Sequence, residues 1–297
     1  VSAPVRLVSA DAEACVAPGG GEPVAWRTGG ADLLWPGDAA HWSRSSPVLF
    51  PIVGHLAGGR LVADGRSYRP GVHGFARDAE FAVVGCRADR LHLRLVDSPA
   101  TRALYPFAFR LDIRYRLTPR RFTIAFEVAN TGRRAMPYAL GFHPGFRWPF
   151  SAGARAGHRV VFARPERAAV PQITADGLIG AGRRPVPLAG RVLPLADRLL
   201  DGEALCFLDA ASRSLRFVAP DGAAIAMAVE NFPHLALWSR PGAPFLCMEA
   251  WTGHSDPAGF AGTLADKPSM RWLAPGAAAR HAVRLAYRPA DAAGAGA

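Results

Sequence analysis

Lysine is almost missing from this chain: Lys267 is the only one among 297 residues. The formal net charge is nevertheless +11, and it is carried by arginine. The arginines are scattered amid abundant Ala, Gly and Pro, a pattern we read as coding bias. No run of basic residues interleaved with aromatics marks a groove, so no nucleic-acid partner is expected. A basic surface still suits an anionic small molecule such as a sugar phosphate. Cysteine is also scarce. Cys15, Cys86, Cys206 and Cys247 stand far apart without a C-x-x-C pair, which argues against structural zinc and against a small disulfide framework. Four reduced thiols in a cytoplasmic protein are the expectation.

Long apolar runs are lacking as well. VSAPVRLVSADAEACVAP at the start has no continuous apolar stretch of the signal-peptide kind, and no run is long enough to span a bilayer. No membrane association is expected. There is no convincing amphipathic helix with caps, and strands do not alternate with helices, which argues against a doubly wound α/β fold. The G-x-S-x-G elbow and the phosphate-cradling glycine loops are absent. No H-x-H or H-E-x-x-H spacing supports a metal site, and no cofactor is expected.

What the sequence does have is alternation with period two. In FRLDIRYRL (109–117), Phe109, Leu111, Ile113, Tyr115 and Leu117 face one way, while Arg110, Asp112, Arg114 and Arg116 face the other. That is the pattern of a half-buried antiparallel strand. The turn TPRR follows, and FTIAFEV (122–128) alternates again, so the pair reads as a hairpin. LHLRL (91–95), LRFVA (215–219) and AIAMAVE (224–230) look similar, and Gly- and Pro-rich clusters punctuate them at hairpin spacing. Residues 151–200 read as long loops with short strands, and ADAAGAGA (290–297) as a frayed tail. With 50% hydrophobic residues, the chain can bury a large core. One all-β, antiparallel β-sandwich accounts for these features.

Three stretches could carry chemistry. In PFLCMEAWTG (244–253), a strand puts Phe245, Cys247, Glu249 and Trp251 on one face and Leu246, Met248 and Ala250 on the other. Glu249 is then a carboxylate on an apolar face, costly unless partnered and prone to a perturbed pKa. A salt bridge to an arginine is the purely structural alternative. Cys247 beside it reads as a small hydrophobe rather than a nucleophile. In YALGFHPGFRWPF (138–150), His143 sits among aromatics with Pro144 and Gly145 fixing a turn behind it. It is either an inert, hydrogen-bonded histidine or a functional one. In SRSSPVLFPIVGHLAGGR (43–60), Val48 to Val53 reads as a short buried strand between Arg44 and His55, followed by GVHGFARDAEF (71–81) with His73 and Arg77.

Taken together, PVLFPIVG (47–54), HGFAR (73–77), GFHPGF (141–146) and MEAWTG (248–253) resemble, in order, the motifs of the aldose 1-epimerase (mutarotase) family, in particular a bacterial branch. The resemblance runs from about residue 24 to 286. It implies a β-supersandwich of the galactose mutarotase type over residues 1–290, with 291–297 a flexible tail. By the same resemblance Glu249 is the general base and His143 the general acid, His73 orients the sugar, and Arg44 and Arg77 contact it. Asp209 in CFLDAASRS is aligned more loosely with a residue that holds a sugar hydroxyl, and Trp238 lines the pocket. Relatives often carry arginine after I-V-G, where this chain has His55. That departure implies an altered specificity, or Arg60 as a substitute.

Residue types fit the implied reaction, which needs neither metal nor redox chemistry. A base removes the C1 hydroxyl proton while an acid protonates the ring oxygen, and reclosure of the open-chain aldehyde gives the other anomer. The partner is a free aldose or, alternatively, a hexose 6-phosphate clamped by arginine; a non-catalytic carbohydrate-binding protein is the third reading. Either a monomer or a homodimer would serve.

Overall fold

Ten-residue strands dominate where the alternation is longest. In the computed structural model, which describes residues 2–151 and 154–290, Phe109–Thr118 pairs antiparallel with Arg121–Asn130. Leu111 lies opposite Val128, Ile113 opposite Phe126, and Thr118 opposite Arg121 across the turn. This hairpin is the middle of a nine-stranded sheet. From one edge its order is Val192–Pro194, Arg159–Phe162, Ser214–Val218, Ala224–Glu230, Ala278–Arg288, Arg121–Asn130, Phe109–Thr118, Arg90–Val96 and Ala82–Arg87. Strands expected at 91–95, 215–219 and 224–230 are all members.

A six-stranded sheet faces it, ordered Leu205–Phe207, His234–Trp238, Phe245–Trp251, Gly141–Phe142 and Val48–Leu49, with Gly145–Arg147 also paired to Phe245–Trp251. Leu246, Met248 and Ala250 point between the sheets into the same buried cluster as Ile113, Phe126 and Phe217. The rings of Phe126 and Phe142 meet across the gap at 6.0 Å. Full burial of such a side chain contributes about 1.5–3 kcal/mol, which is why the alternation specifies the packing. A smaller four-stranded sheet, from Val5–Ser9 to Ala31–Asp32, adds Leu7, Val16 and Trp26 to this core.

The far face of the six-stranded sheet borders a cavity. Phe245, Cys247, Glu249 and Trp251 all project there, and every residue of their strand is buried. One strand thus supplies the core with its even positions, a second buried cluster with Phe245 and Cys247, and the cavity lining with Glu249 and Trp251.

Local outcomes differ from the pattern in three places. The strand expected over Val48–Val53 is only Val48–Leu49. Pro51 has no N–H to continue a ladder, and the Phe50 carbonyl instead accepts the N–H groups of Phe75 and Ala76. A short helix, Pro99–Leu104, begins at a Ser98–Thr101 capping box with proline in its first turn; six residues are too few for periodicity to reveal. Asp112, on the nominally outward face, is fully buried beneath Arg94, Arg110 and His92. Residues 151–200, where described, are loops with short strands, as expected. The tail at 291–297 lies outside the described residues. No described helix is long and apolar enough to cross a membrane.

Candidate active site

Glu249 stands at the centre of its sheet, opposite Ala236 on the neighbouring strand, and is 1% exposed. Its Oε2 accepts the indole N–H of Trp251 at 3.0 Å. Its Oε1 lies 3.2 Å from His143 Nε2. His143 reaches this position because the strand pairing alongside Phe245–Trp251 is interrupted. Gly141–Phe142 and Gly145–Arg147 both pair with that strand, and the His143–Pro144 step between them is left to project. The His143 N–H is held by the Pro47 carbonyl. A side chain at Gly145 would press on Trp42, with 3.0 Å to the indole, so the glycine gives Trp42 room beside His143. The rings of Trp42 and Trp238 lie 5.1 and 5.5 Å from that of His143.

His73 occupies a left-handed conformation (φ 64°), tolerable for histidine but uncommon. Two reciprocal bonds hold it there. Its own N–H donates to the Gly54 carbonyl, and the Gly54 N–H donates to His73 Nδ1, both at 3.0 Å. An amide can only donate, so Nδ1 is bare and the ring proton sits on Nε2. Gly74 has its Cα against the Phe50 carbonyl, where no Cβ would fit. This contact locks the segment after His73 onto the segment after Val48. The imidazoles of His73 and His143 approach edge to face at 6.0 Å.

Arg44 is thoroughly engaged by the protein. It donates to the Arg77 carbonyl at 2.6 Å and to Asp78, and lies 3.7 Å from Glu22. Glu22, itself buried, accepts the N–H groups of Ser45 and Ser46. Arg77 is freer: its Nε is buried without a hydrogen-bond partner, 3.7 Å from Asp78.

These groups converge on a cavity of about 460 Å³, a size suited to a small ligand. Arg44, His73, Arg77, His143, Trp238 and Glu249 line it; Asp209 does not. Asp209 sits on a turn with its side chain 82% exposed and its N–H bonded to His234. Arg60 likewise lies elsewhere, in a depression with Arg69 and Phe260. His55 does line the cavity. Sequence reasoning missed Trp42, Trp251 as the partner of Glu249, and the wall made by Ile173, Thr174, Gly177 and Ile179. An aromatic two residues from a buried carboxylate on the same strand face was the available signal for Trp251. The hairpin wall had none.

Burial governs the electrostatics. It raises the Glu249 carboxyl well above its ordinary range, with the Trp251 N–H opposing, and lowers the His143 imidazole to about 3. Burial, then the proximity of His143 and Arg77, keeps His73 neutral as well. Cys247 is pushed well above the usual thiol range, chiefly by burial, which makes it a poor nucleophile. Among the described residues no three His, Cys, Asp or Glu side chains gather closely enough to hold a metal ion.

Residues 5–166 match the model of the aldose 1-epimerase family. The chain belongs to that family. It is an isomerase acting on sugars, with the nearly all-β fold of galactose mutarotase-like proteins. Protein LacX of Lactococcus lactis subsp. lactis is 28% identical over 262 residues, covering 83% of this chain and 86% of LacX. A galactose mutarotase-like protein from Lactobacillus casei superposes with a TM-score of 0.89 at 24% identity, over 96% of this chain and all of that one. Slr1438 from Synechocystis gives 0.80 at 26% identity, over 97% and 96%.

Proposed function

We propose that the protein interconverts the α and β anomers of a free aldohexose, with Glu249 as general base and His143 as general acid. The observation that carries this reading is the buried pair itself. A carboxyl and an imidazole nitrogen 3.2 Å apart, flanked by tryptophans at one end of a sugar-sized cavity, can exchange protons with two oxygens on one carbon. In the empty cavity the pair holds one proton, and burial of both groups favours its resting on Glu249. A sugar entering between them brings hydroxyls that solvate the ionised partners, and the proton passes to His143.

Glu249 then takes the C1 hydroxyl proton as His143 gives its proton to the ring oxygen, and the C1–O5 bond breaks. After rotation about C1–C2, His143 accepts the C5 hydroxyl proton and O5 attacks the other face of the aldehyde. Glu249 returns its proton to O1, so the pair ends as it began. The Nε2–H of His73 is a fixed donor for a sugar oxygen nearby. Trp42 and Trp238 supply apolar faces for the sugar's C–H surfaces, and the cavity-lining Arg77 donates to a hydroxyl. Because Arg44 is already engaged by Asp78 and the Arg77 carbonyl, an uncharged aldose is favoured over a hexose 6-phosphate.

The test is polarimetry on freshly dissolved α-D-glucose and α-D-galactose. Relaxation should run well above the buffer rate, and Glu249→Gln or His143→Asn should each remove about 10²–10⁴-fold of the acceleration. A protein that binds aldoses without accelerating relaxation would be a carbohydrate-binding protein instead. Acceleration confined to glucose 6-phosphate, read by saturation-transfer NMR, would overturn the choice of an uncharged sugar.

A further inference from the structure

Two walls of the cavity hang from one buried residue that does not line it. Asp256 is 1% exposed. Its Oδ2 accepts the Ala57 N–H at 2.8 Å, and its backbone N–H donates to the His55 carbonyl at 2.9 Å. Its own carbonyl accepts the Ile179 N–H at 2.9 Å. The first two bonds hold the Gly54–Ala57 loop, and the third holds the base of the hairpin that carries Thr174 and Gly177. The neighbouring Ser255 Oγ accepts the His55 N–H at 2.9 Å, and Gly54 lies so close to Ser255 that no Cβ could be added. At the rim, Gly177 packs flat on the His55 ring, where a Cβ would meet it at 2.5 Å.

Asp256 is fixed in turn by the chain's only lysine. Lys267, 4% exposed, donates from Nζ to Asp256 Oδ1 at 2.5 Å and to the His254 carbonyl at 2.8 Å. A buried ion pair is weak evidence for stability, because desolvation offsets much of its attraction. Its value here is directional. Both carboxylate oxygens have assigned partners, and charge-assisted bonds of this kind fix orientation tightly.

We propose that Lys267 and Asp256 are positioning residues for sugar binding: they set the gap between the His55 loop and the hairpin wall and, through the Gly54 N–H, hold His73 as the Nε2–H tautomer that faces the sugar. The assignment rests on the sugar-site reading of the cavity. Neither residue touches the sugar, so their loss acts through His73 and the two walls. When Lys267 is removed, the Asp256 carboxylate is left buried without its cation and turns. The Ala57 and His55 attachments loosen, and Gly54 no longer caps His73 Nδ1.

Two variants separate this from a merely structural role. Lys267→Met removes the cation. Ala57→Pro deletes one N–H while leaving the ion pair intact, and Leu56 before it is already extended (φ −105°, ψ 141°), as the residue preceding proline must be. Long-range ¹H–¹⁵N correlation spectra of the ligand-free protein should give a single Nε2–H tautomer for His73 in the wild type and a mixture in either variant. Polarimetry should give a KM raised about tenfold in both, as expected when binding common to substrate and transition state is lost, while kcat falls far less. If Lys267→Met does not fold, Ala57→Pro decides alone. A His73 that stays wholly Nε2–H with unchanged KM overturns the proposal even if the melting temperature drops, and so does a wild-type His73 protonated on Nδ1. The spectra need no turnover, so they report on this assignment even where no aldose is epimerised.

Discussion

Trp251→Phe removes one hydrogen atom of consequence. The indole N–H donates to Glu249 Oε2 at 3.0 Å with both side chains buried, and phenylalanine keeps most of the ring packing. A bond to a charged acceptor is worth about 1.5–3 kcal/mol and one to a neutral acceptor about 0.5–1.5. The ionised carboxylate therefore loses about 1–1.5 kcal/mol relative to the carboxylic acid. If the reaction proceeds from ionised Glu249 and protonated His143, kcat/KM falls about tenfold. Because the pair shares one proton, the balance between its two forms does not depend on pH. The loss should be uniform across the neutral plateau, with the alkaline limb moved to higher pH. Polarimetric rates from pH 5 to 9 test this. Activity that recovers steadily as pH rises through neutrality would mean that Glu249 titrates alone, and the shared-proton account would be refuted. No loss at all would remove the N–H from the mechanism.

Glu249→Gln should stabilise the fold by about 0.5–2 kcal/mol at pH 8, in keeping with the stability cost of functional groups. The folded carboxyl holds its proton above the unfolded value of about 4.5, so the Glu249 contribution to wild-type stability declines as pH rises, and the glutamine variant lacks that decline. Thermal melts should therefore diverge between pH 5 and 8, and parallel curves would contradict this. Asp112→Asn should cost about 3 kcal/mol in urea titrations, since it strips a buried anion from two arginines, Arg94 and Arg110. Burial opposes ionisation of Asp112, but bonds from Arg94, His92 and Arg110 outweigh it and hold the carboxyl low. The clamp is thus present above the ordinary carboxylate range and is lost as pH falls through the lowered value; a loss under 1 kcal/mol would show the arginines to be ornamental. Asp209→Asn should leave kcat and KM unchanged, because the exposed side chain is not part of the cavity lining; a raised KM would place it at the sugar site.

Period-two patterning made the hairpin at 109–130 and the two faces of the Phe245–Trp251 strand legible, because each inward side chain gains by burial and each slip would lose it. The same pattern misjudged Asp112. Alternation assigns a face, not the depth of cover that three long side chains can lay over it. Glu249 and His143 were legible as two isolated polar residues in apolar runs, but their contact at 3.2 Å was not. It depends on where the break at His143–Pro144 falls against the Phe245–Trp251 strand; Pro144 and Gly145 mark the turn, but nothing local marks the strand it lies beside. The hairpin wall and the buried anchor at Asp256 are tertiary features. Their residues are unremarkable one at a time, and only hydrogen bonds across some 200 positions of chain, such as His55 to Ser255, give them a role.

That span bears on when the protein becomes active during its own folding. The cavity draws on Arg44 near the start, His143 midway and Glu249 near the end, and its floor strand is buried against both neighbours. Hairpins form early because their ends are close, whereas closing loops of such length is slow. Recovery of activity on refolding is therefore a late event, arriving with completion of the six-stranded sheet. In a refolding experiment, turnover would serve as a reporter of the whole assembly rather than of any one part.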